Sequence, residues 1–217
     1  MKTMIAIPCM DTVPVKFAAS LMALKVVGDP CEKYFGMNSL IYDTRNKIAK
    51  HAIENDIERV LWLDSDMEFE RDLMERLSAW IDYGLDFISG IYVTRKEPIR
   101  PTIFKGMEIR DTPEGRKAIA PTYEDYPESE VFEIDACGFG IVMTTVKLLK
   151  DVTEAYGLPF TPVFGYGEDL SFCMRARELG YKIWCDSSIT AGHVGLNTFT
   201  VADRRKYPPA EEQFKAY

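Results

Sequence analysis

Long apolar segments are absent from the 217-residue sequence. No apolar run approaches the roughly 20 residues that a membrane-spanning helix needs, so we expect no transmembrane segment. The stretch Met4–Met10 is apolar but is interrupted by Pro8, which makes it too short for the apolar region of a signal peptide. We interpret it as part of a first strand, Thr3–Cys9.

Closely spaced cysteine pairs are absent as well. The five cysteines are scattered along the chain, and no two of them form a Cys-x-x-Cys motif. This distribution supports neither a zinc knuckle nor a disulfide framework. The simplest expectation is a reduced, cytoplasmic protein.

The sequence also lacks excess positive charge, because 34 acidic residues oppose 26 basic ones and the net charge is −8. This balance argues against a broad surface for nucleic acid or for anionic lipid. It leaves room for a local diphosphate pocket, because a few arginines and a metal can build one. We find no internal repeat and no linker, and the apolar content suits one domain with one large core.

Strands and helices alternate in the first 93 residues. Apolar residues recur at helical spacing after each apolar run. The alternation predicts a parallel, doubly wound sheet, whose ligands bind at the carboxyl edge of the strands. The predicted strands are Thr3–Cys9, Glu32–Met37, Val60–Leu63 and Phe87–Val93. The first two predicted helices begin near Pro14 and at Asp43 or Thr44, and the third spans Leu73–Tyr83.

An acidic motif, Asp64-Ser65-Asp66, directly follows the apolar strand Val60–Leu63. Two carboxylates two residues apart can share a divalent cation, or one can take the metal and the other a ribose hydroxyl. The alternative is a strand-to-helix turn in which Asp66 caps a helix that begins near Glu70. This stretch alone leaves both interpretations open.

The segment Lys96–Glu133 is polar, rich in proline and charge, and without a sustained period. We expect a surface insertion with short strands near Thr102–Phe104 and Lys117–Ala120. Order returns after it, in a strand that carries Gly138 and Gly140. These glycines allow the backbone to approach a neighbour closely, whether a bulge or a ligand.

A second acidic pair, Glu168-Asp169, opens a predicted helix that follows two glycines. Carboxylates are favoured at a helix N-terminus, so a capping role for this pair is the alternative to a chemical one. The predicted apolar stripe of this helix consists of Leu170, Cys173, Met174 and Leu179.

His193 is one of only two histidines, and it lies among glycines beyond the predicted strand Lys182–Cys185. Neutral imidazole completes a site for Mn²⁺ well alongside carboxylate and diphosphate oxygens. A purely structural histidine is the alternative. The polar tail beyond Asn197 is expected to be peripheral, although Arg204–Lys206 could reach a phosphate.

In their order along the chain, these motifs resemble those of the GT-A glycosyltransferases, the family-2 kind in particular. The resemblance covers about Met4–Gly195. Asp64–Asp66 matches the DxD motif of the family, and Gly165–Ile183 is similar to its Gly-Glu-Asp helix. Ala191–Gly195 resembles the late metal-binding histidine segment, and Asp43–Ala49 resembles the arginine-asparagine helix start near the nucleotide.

The resemblance implies a three-layer α/β/α, Rossmann-like GT-A domain over residues 1–217 with a mostly parallel central sheet. It implies a nucleotide-binding half at about 1–95, an acceptor-side insertion at 96–133, an acceptor and catalytic half at 134–195, and a tail at 196–217. The implied activity is sugar transfer from a nucleotide-diphosphate sugar, with a UDP-sugar as the expected donor, to a hydroxyl of an unknown acceptor. Mn²⁺ or Mg²⁺ would bridge the diphosphate.

The same resemblance assigns roles to individual residues. Asp66 and His193 are the expected metal ligands, and Asp64 is expected at the metal, its bound water or the ribose. Asp169 is the expected general base of an inverting reaction, with Glu168 orienting sugar or acceptor. The other expected contacts to donor and acceptor are Pro8, Cys9, Met10, Asp11, Arg45, Ser65, Gly138 and Phe139.

The helix dipole tends to lower the pKa of Asp169, so we expect this base to be poised only when a bound acceptor buries it.

Two other functions remain open. A nucleotidyltransferase would need a basic, glycine-rich loop after the first strand, which Cys9–Pro14 does not offer. A non-catalytic nucleotide-sugar-binding module would have no need of so costly a set of carboxylates.

Overall fold

A computed structural model describes residues 1–37, 40–113, 115–195 and 198–204. Within these ranges the chain forms thirteen strands and six helices. In chain order they are β1 (Thr3–Cys9), α1 (Val15–Ala23), β2 (Cys31–Met37), α2 (Ile41–Glu54), β3 (Arg59–Leu63), β4 (Met67–Phe69), α3 (Leu73–Tyr83), β5 (Phe87–Ile91), β6 (Ile103–Phe104), β7 (Glu108–Thr112), β8 (Gly115–Ile119), β9 (Val131–Ile134), β10 (Ala136–Cys137), β11 (Ile141–Thr145), α4 (Val146–Tyr156), α5 (Glu168–Glu178), β12 (Ile183–Val194), β13 (Thr198–Phe199) and α6 (Val201–Arg204).

The described strands build one large sheet in the order β13-β12-β5-β11-β3-β1-β2, and β4 and β9 also pair with β12. Strands β1, β2 and β3 are parallel to one another, and β5 is parallel to β12. Strand β11 runs antiparallel to both β3 and β5, which lie on either side of it, so β3 and β5 are parallel to each other. Strands β1, β2, β3, β5 and β12 therefore all run in the same direction, and β11 runs in the opposite one. The predicted mostly parallel α/β sheet is confirmed.

Helices cover both faces of this sheet, which gives the three predicted layers. One core joins α2, α4 and α5 to the sheet, and the other joins α1 and α3 to its opposite face. Alternate residues of β3 point into opposite cores. Val60 and Trp62 belong to the core with α2, α4 and α5, and Leu61 and Leu63 belong to the core with α1 and α3. A strand that is buried on both faces has no polar side, which explains its continuous apolar sequence.

The acidic motif does not start a helix. Strand β4 follows it at once, and α3 begins only at Leu73 after an N-cap at Asp72. The alternative in which Asp66 caps a helix near Glu70 is therefore wrong. The reason is long-range pairing, because β4 lies antiparallel to β12, with Met67 opposite His193.

The long strand β12 carries its end to the carboxyl edge of the sheet. It pairs with β5 at Trp184 and Cys185, shifts register before Thr190, and then pairs with β4. Such an irregularity bends a strand and re-aims its side chains. As a result, His193 lies beside the loop that follows β3.

The insertion predicted at 96–133 contains the β7–β8 hairpin and the short strand β6. The hairpin contacts the segment just before α5, where the Tyr166 hydroxyl lies 2.7 Å from the carbonyl oxygen of Glu108 and 2.9 Å from that of Ile119. The guanidinium of Arg116 lies 5.6 Å from the ring centre of Phe164. These contacts join the insertion to the start of α5.

Candidate active site

A cavity of about 400 Å³ opens at the carboxyl edge of the sheet. The ends of β1, β3 and β12 and the starts of α2 and α5 contribute to it. Its lining residues are Pro8, Cys9, Met10, Ile41, Thr44, Arg45, Asp64, Ser65, Asp66, Arg95, Glu168, Asp169 and His193. Ten residues singled out in the sequence thus share one cavity, although they come from five separate parts of the chain.

Asp66 and His193 lie next to each other in this cavity. His193 Nε2 is 3.4 Å from Asp66 Oδ2, and the backbone amide of Val194 donates to the Asp66 carbonyl at 2.8 Å. His193 Nδ1 lies 2.8 Å from the carbonyl oxygen of Val93. Because that oxygen can only accept, Nδ1 carries a proton, and Nε2 is the ring nitrogen that faces Asp66.

The Asp66 carboxyl is held in its charged form. Burial alone would raise its pKa, but the hydrogen bond from His193 and the charges of His193 and Arg95 outweigh burial and leave the pKa below its usual value. The ring of Tyr92 packs edge-on against that of His193, with ring centres 5.4 Å apart. The imidazole is therefore fixed from two sides, by Val93 and Tyr92.

Asp66 and His193 form the part of the cavity that suits a divalent cation. A carboxylate oxygen and an imidazole nitrogen that carries no proton are ligands that Mn²⁺ accepts. Among the described residues, no group of three or more His, Cys, Asp and Glu side chains could hold a metal ion by itself. The pair thus fits a cation that takes its remaining ligands from water and from the phosphate oxygens of a bound molecule.

Arg45 connects two of the carboxylates that line the cavity. It is only 2% exposed, and its Nη1 and Nη2 donate to Glu168 Oε1 at 2.5 Å and to Asp64 Oδ1 at 2.6 Å. Burial alone would lower the pKa of the guanidinium, but Asp64, Glu168 and Asp169 keep it raised. The ring of Phe139 lies beneath, 5.2 Å from the guanidinium carbon.

The pKa of the Asp169 carboxyl is already raised in the free chain. Its partly buried position raises the pKa of its carboxyl, the positive charge of Arg45 lowers it, and the neighbouring Glu168 raises it again, to about 6. The backbone amide of Leu170 donates to Oδ1 at 2.8 Å. The expectation that this carboxyl is poised only under a bound acceptor is therefore wrong, because the protein itself already provides the burial.

Three of the singled-out residues do not line the cavity. Asp11 is exposed beyond the end of β1. Phe139 is 1% exposed and packs against other aromatic rings below Arg45. At Gly138 a Cβ atom would come within 2.1 Å of the Tyr92 hydroxyl, so the close approach that this glycine permits is to Tyr92 and not to a ligand.

Arg95 and Ile41 line the cavity but were not predicted from the sequence, whereas Thr44, which also lines it, lies in the segment Asp43–Ala49 that was expected near the nucleotide. Arg95 Nη1 lies 3.0 Å from Asp66 Oδ2. Arg95 lies shortly after β5, which ends at Ile91, so a basic side chain beyond a parallel strand was the available signal. Arg205 and Lys206, named for a phosphate, lie outside the described residues, and so does the side chain of Arg204.

In the part of the chain that the structure describes, no helix is both long enough and apolar enough to cross a membrane. All five cysteines are free.

No protein-family model matches the chain, and no curated protein matches its sequence. Solved structures do resemble it. A197 from STIV superposes with a TM-score of 0.65 at 18% identity, over 90% of this chain and 86% of A197. GalNAc-T7, crystallised with UDP, GalNAc and Mn²⁺, gives a TM-score of 0.58 at 11% identity, over 90% of this chain and 44% of that one.

A third structure, residues 1–349 of S. aureus TarS, gives a TM-score of 0.51 at 16% identity. The match covers 86% of this chain and 60% of the TarS chain. Identities this low carry information about the fold alone. The chain has the GT-A fold of glycosyltransferases.

Proposed function

We propose that this protein is a divalent-metal-dependent glycosyltransferase that moves a sugar from a nucleotide-diphosphate sugar to an acceptor hydroxyl. One observation carries the proposal: the cavity at the strand edge of a GT-A fold gathers Asp64, Asp66, Glu168, Asp169 and His193. Burying several carboxylates together costs free energy, and a structural role does not explain why they surround open space.

In this proposal Asp66 and His193 hold Mn²⁺ or Mg²⁺. The cation, when bound, neutralises the negative charge that develops on the departing diphosphate. His193 is suited to its role because the Val93 carbonyl fixes both the tautomer and the orientation of the ring. The presence of UDP, GalNAc and Mn²⁺ in the GalNAc-T7 crystal supports a UDP-sugar and Mn²⁺ as the first ligands to test.

Asp169 is the general base. As the acceptor oxygen attacks the anomeric carbon, Asp169 takes the hydroxyl proton, and the bond from that carbon to the diphosphate oxygen breaks. A direct displacement of this kind inverts the anomeric centre. With a pKa of about 6, the carboxyl is ionised at neutral pH yet basic enough to accept a proton in the transition state.

Other residues position the reactants. Pro8, Cys9 and Met10 surround the nucleoside together with Ile41, while Asp64 and Ser65 face the ribose or metal-bound water. Glu168 orients the sugar or the acceptor and is itself held by Arg45. We assign acceptor binding to the insertion at 96–133, whose hairpin β7–β8 contacts the segment that leads into α5.

A thermal-shift screen of nucleotide sugars, with and without Mn²⁺, tests this proposal. A ligand at about 100 times its Kd stabilises the native state by about 2.7 kcal/mol, which is a shift of roughly 5–10 °C for a chain of this size. We expect one class of nucleotide sugars to give such a shift only with Mn²⁺. The matching nucleoside monophosphate is the control, because it lacks the diphosphate.

Two results would contradict the proposal. A shift with nucleoside triphosphates and sugar phosphates, but not with nucleotide sugars, would favour a nucleotidyltransferase. A metal-dependent shift without transfer to any hydroxyl, water included, would favour a non-catalytic binding module.

A further inference from the structure

Arg95 makes an ion pair at the position that the cation would need. Its Nη1 lies 3.0 Å from Asp66 Oδ2, the same oxygen that His193 Nε2 approaches at 3.4 Å. The same Nη1 donates to the carbonyl oxygen of Val194 at 3.1 Å. The positive charge of Arg95 therefore already lies against Asp66, the first proposed metal ligand, and against the end of β12, the strand that carries His193.

A guanidinium and a divalent cation cannot share this oxygen favourably. At about 4 Å the repulsion between like charges is large unless water screens it. The Arg95 side chain is 46% exposed, whereas the Asp66 side chain is 24% exposed. An ion pair with one partly exposed partner contributes little stability, so the arginine end can leave Asp66 at small cost.

We propose that Arg95 is the counter-ion of Asp66 in the metal-free chain and moves to the donor diphosphate when a divalent cation binds Asp66 and His193. The inference rests on the proposed function and adds an order of events to it. Arginine is suited to the second role because its planar guanidinium binds phosphate oxygens in pairs.

This exchange couples metal and nucleotide. The cation alone must displace Arg95 and leave it without an anionic partner. A nucleoside diphosphate that arrives with the cation supplies that partner, so each ligand strengthens the binding of the other by the same factor. The metal site is thereby kept weak until the donor is present.

Calorimetric titrations of Arg95→Gln test the inference. With Mn²⁺ alone, we expect the variant to bind roughly two- to tenfold more tightly than the wild-type chain, because the competing charge is gone. With saturating Mn²⁺, we expect UDP to bind roughly tenfold or more weakly, because a charge-assisted contact to phosphate is lost. The two affinities change in opposite directions.

Lys96→Gln is the matched control. It removes the same charge one residue away, from an exposed side chain that does not line the cavity. Both affinities should stay within about twofold of wild type, because exposed charges contribute little at this distance in salt. A change in Lys96→Gln equal to that in Arg95→Gln would show a general field effect and overturn the inference.

Other results of these titrations would also overturn the inference. If Arg95→Gln binds Mn²⁺ no more tightly than wild type, or binds UDP equally well, the exchange does not occur. These results leave the proposed function standing, provided that the wild-type chain binds both ligands. If the wild-type chain binds no Mn²⁺ with or without UDP, the metal-dependent function itself fails and the inference fails with it.

Discussion

The guanidinium of Arg45 donates to Glu168, 123 residues further along the chain, at 2.5 Å, and to Asp64 at 2.6 Å. It thus joins the end of β3 to the start of α5 from below the cavity. The sequence suggests a nucleotide contact for this arginine, whereas its burial and its two partners indicate a positioning role.

Arg45→Lys separates these two roles. Lysine keeps the charge but has a single nitrogen, so it cannot hold both carboxylates in place. We expect the single-turnover transfer rate to fall about 10–100-fold, since small misplacements of reacting groups have effects of this size. The affinity for UDP with Mn²⁺ should change little.

The control for Arg45→Lys is Arg59→Lys. Arg59 is equally buried, lies at the start of β3, away from the cavity, and pairs with Asp82. Transfer should be retained in this variant. If Arg45→Lys instead weakens UDP binding and transfers normally at saturation, Arg45 contacts the nucleotide and the positioning account fails.

Asp169→Asn removes the proposed base and keeps the shape of the side chain. We expect near-normal binding of donor and Mn²⁺ and a transfer rate lower by roughly 10²–10⁴, the usual contribution of a positioned base. Glu168→Gln should weaken sugar or acceptor binding as well as the rate. If Asp169→Asn transfers normally and Glu168→Gln does not, then Glu168 is the base and Asp169 the orienting residue. If both variants transfer normally, the two carboxylates only cap the helix.

The raised pKa of Asp169 also predicts how activity and stability depend on pH. The transfer rate should rise as pH passes about 6 and then level off, because only the ionised carboxyl accepts a proton. Between pH 3.8 and about 6 the folded chain holds this proton more tightly than the unfolded chain does. Stability contributed by Asp169 therefore falls as pH rises through this window.

Asp169→Asn should accordingly stabilise the ligand-free chain at pH 7. The full pKa shift corresponds to about 3 kcal/mol, and partial solvent screening reduces the expected gain to about 1–2 kcal/mol. Below pH 3.8 the gain should vanish, because the carboxyl is then neutral in both states. Urea unfolding at the two pH values measures it, and an equal gain at both would contradict the assigned pKa.

Tyr166→Phe tests the contact between the hairpin and α5. It removes a hydroxyl that lies within hydrogen-bonding distance of Glu108 and Ile119. We expect faster amide hydrogen exchange in β7 and β8, a loss of roughly 0.5–1.5 kcal/mol in local stability, slower transfer, and unchanged UDP binding. Tyr156→Phe, which removes the exposed hydroxyl bonded to Glu178, is the control. If amide hydrogen exchange in β7 and β8 is unchanged in Tyr166→Phe, this contact does not hold the hairpin, and the role assigned to the hairpin is wrong.

The sequence was sufficient for elements with a strong local pattern. The bounds of α3 are as predicted, because Gly84, with φ of 112°, ends the helix at Tyr83. The buried strand β3 was visible as a continuous apolar run. The acidic pairs at strand and helix ends also led to the cavity, because those ends meet at one edge of a parallel sheet.

Features that depend on distant partners were not predicted. Of the predicted apolar stripe of α5 only Cys173 is fully buried, and Leu179 is 39% exposed. The other buried residues of this helix are Ser171, Phe172, Arg175 and Ala176. Two distant contacts set this rotation: Glu168 pairs with Arg45, and Phe172 stacks on Phe160 with ring centres 4.6 Å apart. The inward Glu168 and Asp169 stand four residues before Phe172 and Cys173, a spacing that could have revealed the face.

The length of β12 was also missed. The prediction ended at Cys185, but the strand continues to Val194. Its second half is held by pairing with β4, and no local sequence pattern reports such a partner. The predicted convergence of Asp66 and His193 rested on the family resemblance and on their expected positions after two strands. His193 instead lies within β12, and the pairing of β12 with β4 brings it to Asp66.

The central claim is that Asp66 and His193 hold a divalent cation on which nucleotide binding depends. The most direct measurement is a calorimetric titration of UDP in the presence of Mn²⁺ for Asp66→Ala. Glu68→Ala is its control, since it removes a carboxylate two residues away that pairs with Lys16 outside the cavity. The account predicts no detectable UDP binding in Asp66→Ala, with an unchanged melting profile, and normal binding in Glu68→Ala. Unchanged UDP affinity in Asp66→Ala would contradict it.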